Sequence, residues 1–295
     1  IIPLLPATFL IHPSLWRNVC PLATLGMGSD GDAGAARGDT GALSTGAAAG
    51  AAGVLPLVAL VALRGTGLDQ HAVGTGLVLV GIVVVALVAG RRGVRRAGFC
   101  NRLCPLLPVE RLYGMQPLVR IADDRCPECS GCTPRGCLDL STRTAVPQLL
   151  GPHRESARWL ATPFGAFAAA FPGFVVAYFV GTGGSDGAAR FVVTLAVGAT
   201  ISWSVTAAVV RATRISWSVT LPTLAALAVG SYFGLSAPRA VAAWGGPPEW
   251  GRALAVILVL AVAAWWIRAL RARRGPRGSR RGLGRDPFPP SRHHP

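Results

Sequence analysis

The sequence predicts an all-α, multi-span membrane protein with a cysteine-rich segment on the cytoplasmic side. Three observations predict it. Of 295 residues, 51% are hydrophobic and only 14% charged, with a mean hydropathy of +0.47; a soluble domain carries about 25% charged residues. Apolar stretches recur near the roughly 20-residue length that crosses a bilayer. The arginines collect in every second connection between those stretches.

Six stretches qualify or nearly do: residues 45–63, 73–90, 159–181, 190–210, 215–235 and 251–270. The first is marginal, being rich in Ala and Gly and carrying Pro56. Residues 1–11, "IIPLLPATFLI", read as the truncated end of a further helix. The chain opens on Ile1 within that run, which reads as a fragment or a processed chain; a cleaved signal peptide fits less well, because the apolar run lies on the retained side. The resulting units are 1–23 (helix end and first Cys-Pro motif), 24–44 (Gly/Ala-rich linker), 45–90 (transmembrane hairpin), 91–158 (cysteine segment), 159–271 (four spans) and 272–295 (Arg-rich tail).

Charge bias orients the spans. Segment 91–158 holds twelve Arg against six acids, and the tail from Arg268 holds nine Arg against Asp286 alone. Arg211 and Arg214 separate the fourth and fifth spans, while "GTGLDQHAV", "GTGGSDGAA" and "SAPRAVAAWGGPPEW" are poor in Arg. Strict alternation of six spans places every Arg-rich segment inside, which predicts an inner (cell) membrane protein. Trp159, Trp250, Trp265 and Trp266 fall at span ends, where interfacial aromatics belong.

All seven cysteines then face the cytoplasm, where thiols stay reduced and clusters serve metals or redox chemistry more than disulfides. "CPECSGCTPRGC" sets Cys126, Cys129, Cys132 and Cys137 at C-x2-C-x2-C-x4-C. Three cysteines spaced by two let one loop wrap three corners of an iron–sulfur cubane. The familiar run ends C-x3-C-P, so the x4 spacing and the absent proline are departures. Structural zinc is the alternative, but its ligands usually form two pairs a dozen or more residues apart.

"FCNRLCPLLPVERLYG" carries Cys100 and Cys104, which share one face of a helical turn that Pro105 then interrupts. In ferredoxins a cysteine followed by proline reaches the neighbouring cluster. The pattern recurs as "WRNVCPLA", with Cys20 matching Cys104 and Trp16 standing where Cys100 stands.

These motifs, "WRNVCPLATL", "FCNRLCPLLPVERLYG" and "CPECSGCTPRGC", resemble the membrane-bound polyferredoxins, the group that includes the NapH, NosR and CcoG families and the FesM-like iron–sulfur proteins. The likeness covers about 40 residues; the rest is topology. It implies one or two [4Fe–4S] clusters and electron transfer at the cytoplasmic face, with Cys20, Cys100, Cys104, Cys126, Cys129, Cys132 and Cys137 as ligands. Two cubanes need eight thiols and the chain has seven. One solution gives the loop its own cluster and leaves Cys20, Cys100 and Cys104 a second one with a non-cysteine ligand or three irons. Another exchanges ligands between the two, and a third takes the eighth from a missing N-terminus or a partner.

Arg17, Arg102, Arg91, Arg92, Arg95 and Arg96 flank the Cys-Pro motifs. They fit an anionic cluster, whose potential cations raise, an acidic donor such as a soluble ferredoxin, and the positive-inside rule alone. The tail "RALRARRGPRGSRRGLGR" reads as a site for anionic lipid rather than nucleic acid. All 29 basic residues are Arg, which excludes a Walker A lysine and Schiff-base chemistry. The Gly-rich stretch before residue 47 lacks dinucleotide spacing and reads as a linker.

"ISWSVT" occurs at 201–206 and 215–220. Its Ser and Thr suit close helix packing more than a quinone pocket lined by Trp203 and Trp217. His12 reads as an interfacial residue before a quinone or cluster ligand. The expected function is an electron carrier, taking electrons at the Cys126–Cys137 loop and passing them by Cys100, Cys104 and Cys20 to a quinone or a membrane redox subunit. It is read as part of an oxidoreductase system rather than a stand-alone enzyme. The alternatives are a metal-reducing maturation factor and a zinc-stabilised scaffold.

Overall fold

The computed structural model describes residues 5–26, 47–91, 99–100, 103–119, 146–147, 149–152, 154–181 and 187–274. Among them all regular structure is helical. Three short helices, α1 (Leu5–Ile11), α2 (Pro13–Val19) and α3 (Pro21–Gly26), precede α4 (Ala47–Arg64) and α5 (Ala72–Arg91). Then come α6 (Leu107–Tyr113), α7 (Pro163–Gly181), α8 (Gly187–Thr213), α9 (Trp217–Ala243) and α10 (Pro248–Arg274).

Among the described residues five helices are long and apolar enough to cross a membrane: α5, α7, α8, α9 and α10. The marginal first stretch forms α4, whose Gly53–Arg64 part is a shorter apolar helix. Bilayer thickness explains why these helices were readable, since each needs one uninterrupted apolar run.

The core centres on α7, which packs along α8 and α9, while α9 packs along α10 and α4 lies against α7. Phe164, Phe167, Phe171 and Phe174 follow an i, i+3, i+7, i+10 pattern down α7, with the Phe167 and Phe171 rings 4.7 Å apart. Between α7 and α8 the contact is backbone-close. Ala169, Gly173 and Ala177 face Gly198 and Ser202, each set spaced by four, and Ser202 Oγ donates to Ala169 O at 2.7 Å. The first "ISWSVT" copy thus serves helix packing, as the sequence suggested. Thr162 opens α7, accepting from Gly165 N at 3.1 Å directly before Pro163.

Two expectations need correction. The stretch "SAPRAVAAWGGPPEW" was read as a connection, but α9 runs on through Pro238 to Ala243. Arg239 steadies that extension: its guanidinium donates to Phe179 O at 2.8 Å and lies 5.0 Å from the Phe179 ring, at the electronegative end of α7. Trp159 and Trp265 were read as interfacial anchors, yet they are 1% and 4% exposed. Trp265 Nε1 donates to Gln116 O at 2.8 Å, which satisfies its polar edge inside the protein. Trp250 is exposed as expected. Trp265→Phe removes the indole donor and part of a buried ring, and the expected cost is about 1–3 kcal/mol, read as a lowered unfolding temperature in detergent.

Candidate functional site

Both Cys-Pro copies continue into the same kind of turn after the cysteine, while the turn before it is one residue wider in the second copy. Cys20 N donates to Trp16 O at 2.9 Å, and Cys20 O accepts from Ala23 N at 3.0 Å. Cys104 N donates to Phe99 O at 3.0 Å, and Cys104 O accepts from Leu107 N at 3.1 Å. Each proline lacks an N–H and so closes one turn while starting the next; Pro21 is the first residue of α3.

The two turns meet. Cys20 and Cys100 are buried with Ala23, Ala86 and Phe99 in one small cluster, and Cys104 packs on its edge. Trp16, the residue aligned with Cys100, borders this cluster and also meets Phe9 edge-on. Ile82, Ala86 and Ala89 of α5 close one side. On another side α4 comes so close that a Cβ on Gly53 would stand 3.2 Å from Cys104 O and 3.0 Å from Pro108 Cδ. The three thiols are free, with no disulfide among the described cysteines.

A buried ion pair joins the copies. Arg17 Nε donates to Glu110 Oε1 at 2.6 Å, with the side chains 3% and 4% exposed. Sequence reading had noted Arg17 only as one of several cations and had assigned Glu110 nothing. Burial pushes the Cys100 thiol up to about 11; Arg17 pulls it back, while Cys20 and Glu110 push it further. Burial pushes Cys104 up to about 12, with the Leu106 backbone N–H opposing and Cys100, Glu110 and Cys20 adding. Each thiol therefore feels the other motif's residues.

His12 has a structural task. It caps α2, its Nδ1 accepting from Ser14 N at 3.1 Å and lying 2.6 Å from Ser14 Oγ. Burial lowers its pKa, favouring the neutral ring. The signal for this role was the Ser two residues on.

Residues 116–119 are clamped from two directions. Leu118 N and Val119 N donate to Leu10 O and Ile11 O at 2.9 and 3.1 Å, and the Arg268 guanidinium donates to Leu118 O at 2.8 Å. The loop bearing Cys126, Cys129, Cys132 and Cys137 lies outside the described residues, as do Arg92, Arg95, Arg96, Arg102, the linker beyond Gly26 and the tail beyond residue 274.

An apolar groove of about 530 Å³ runs between α4, α7 and α8, lined by Val54, Leu57, Phe167, Phe171, Ala199 and Trp203 among others. Trp217 does not line it, and Trp203 Nε1 already donates to Leu160 O at 3.3 Å. Among the described residues no three His, Cys, Asp or Glu side chains stand close enough to hold a metal ion. No family model, curated protein or solved structure matches the chain.

Proposed function

We propose that this chain is a membrane-bound iron–sulfur electron carrier whose sulfur ligands face the cytoplasm. The observation that carries the reading is the convergence of Cys20, Cys100 and Cys104, from two separate Cys-Pro motifs, in one buried cluster. Three free thiols beside a guanidinium suit an anionic thiolate-bound group. A zinc ion, with Zn–S near 2.3 Å, draws its thiols within about 4 Å of one another; a cubane places iron and sulfide between its ligands, so they stand further apart.

Cys20, Cys100 and Cys104 would hold one such group, and Cys126, Cys129, Cys132 and Cys137 another. Bound there, an iron–sulfur cluster supplies one-electron carriage. The chain's own residues ligate, exclude water through Trp16, Phe99 and Ala86, and place charge through Arg17. The acceptor is a quinone or a membrane redox subunit, and the donor a soluble ferredoxin-like protein. The groove favours a quinone: its lining includes Val54, next to the Gly53 that abuts Cys104. The Arg-rich tail holds anionic headgroups at the same face.

Metal and sulfide analysis of anaerobically purified protein, with EPR after dithionite, tests the reading. About six to eight irons with matching sulfide indicate two clusters, and about four indicate one. One zinc without labile sulfide refutes the carrier and leaves a scaffold. Reduction of copper or iron salts in place of quinone reassigns the chain to metal-reducing cofactor maturation.

A further inference from the structure

The "ISWSVT" repeat extends further than its six shared residues. "ATISWSVT" fills 199–206 and "ATRISWSVT" fills 212–220, so the second copy is the first with Arg214 inserted. The insertion redirects the chain. Residues 199–206 run straight through α8, whereas the second copy holds the end of α8, a turn and the start of α9. Arg214 makes that turn: its φ is 53°, the left-handed conformation, and its N donates to Val210 O at 2.9 Å. It is the one non-glycine with a positive φ among the described residues. Glycine ends helices this way without strain, and a large side chain kept in a strained position points to a use for that side chain.

Charge and place say which use. Arg211 and Arg214 are exposed, and neither guanidinium has an ion-pair or hydrogen-bond partner among the described residues. No Asp or Glu occurs from 187 to 248, so α8 and α9 carry no acid to balance them. Exposed Val205, Val209, Ile215 and Val219 flank the turn. The two cations therefore stand where an apolar, lipid-facing surface gives way to a polar end.

We propose that Arg211 and Arg214 form a binding site for the phosphate of an anionic phospholipid at the α8–α9 turn. The site is separate from the thiols and from the tail beyond residue 274, and it does not rest on the iron–sulfur reading. Guanidiniums engage phosphate oxygens through a planar fork of donors, and two of them three residues apart at one helix end share a single phosphodiester. Lipid is the occupant rather than free phosphate, because the flanking aliphatic side chains cover the acyl chains that the same headgroup carries.

Thermal unfolding of the full-length protein in a neutral detergent, titrated with phosphatidylglycerol, tests this. Phosphatidylglycerol is expected to raise the unfolding temperature, with phosphatidylcholine and inorganic phosphate far less effective. Arg211→Gln and Arg214→Gly should each raise the half-saturating phosphatidylglycerol concentration about fivefold, the worth of one arginine near an anionic surface. Arg214→Lys is as strained but still charged, and should stay within about twofold of the parent. Arg252→Gln, exposed near the start of α10 at the opposite end of the bundle, should change nothing. Without lipid, Arg214→Gly should unfold at or above the parent's temperature, since glycine accepts the left-handed turn. A lower temperature shows that the arginine serves the turn itself and overturns the inference from its strain. Unchanged half-saturation in both Arg211→Gln and Arg214→Gly, or an equal effect of phosphatidylcholine, overturns the site. An equal effect of inorganic phosphate overturns lipid as its occupant.

Discussion

Gly173→Leu is expected to drive α7 and α8 apart and to remove most of the folded protein from detergent extracts. A Cβ at Gly173 would press into the Gly198 carbonyl and stand 2.6 Å from Ser202 Cβ; one at Gly198 would stand 2.5 Å from Ala177 Cβ. Neither helix can yield by rotating a flexible side chain, because the obstacle is backbone. Helices in lipid gain little from apolar burial and depend on such close approach. Separation also breaks the Ser202–Ala169 and Trp203–Leu160 hydrogen bonds. Overpacking at about 1–3 kcal/mol and two bonds at about 1 kcal/mol each give a loss of about 3–5 kcal/mol, against a typical total of roughly 5–15. Gly76 of α5 has nothing within 4 Å of its added Cβ, so Gly76→Leu is the control and should leave the unfolding temperature unchanged. Equal thermal stability of Gly173→Leu and the parent would refute the close-contact account.

Thiol reactivity provides the second large effect. In metal-free protein, Cys100 and Cys104, raised from an ordinary 9.0 to about 11 and about 12, stay protonated at neutral pH. Only the thiolate is alkylated, so the Cys100 rate should climb about fiftyfold between pH 9 and 11, against about twofold for a thiol left at 9.0. Cys104 should still be climbing where Cys100 levels off. Peptide mass spectrometry after iodoacetamide reads each site, and a plateau by pH 10 at both would show that the pocket is open to water. The sign for stability follows: neutral buried thiols stabilise the fold below pH 9, and the contribution is lost as pH rises through about 11 and 12. Thiolate ligation displaces these protons, so loading is favoured on the alkaline side of neutrality.

The spans were legible because an apolar run about 20 residues long has few other uses, and the observed α5, α7, α8, α9 and α10 follow those runs to within a few residues, apart from the C-terminal extension of α9. The end of α9 was missed because the apolar run gives out near residue 235, whereas Arg239 anchors the continuing helix to the end of α7. Trp159 and Trp265 misled because aromatic position along a span does not say which way the ring faces. The kinship of the Cys-Pro copies was legible, since both cysteines carry the same turn-forming proline. The Arg17–Glu110 bond was not, as nothing local distinguishes Glu110 from a solvated acid in an Arg-rich segment. Such a partner is set by how two distant helices cross.

Cys20 lies before the α4–α5 hairpin and Cys100 after it, yet both sit in one pocket walled by α5. This ordering has a consequence for biogenesis. The first thiol leaves the ribosome while the hairpin is still unmade, and it can meet the others only once α4 and α5 have formed and returned the chain to it. Any group held by all three thiols, as proposed above, would thus be acquired only after the hairpin has formed. Such a group would close the hairpin like a clasp.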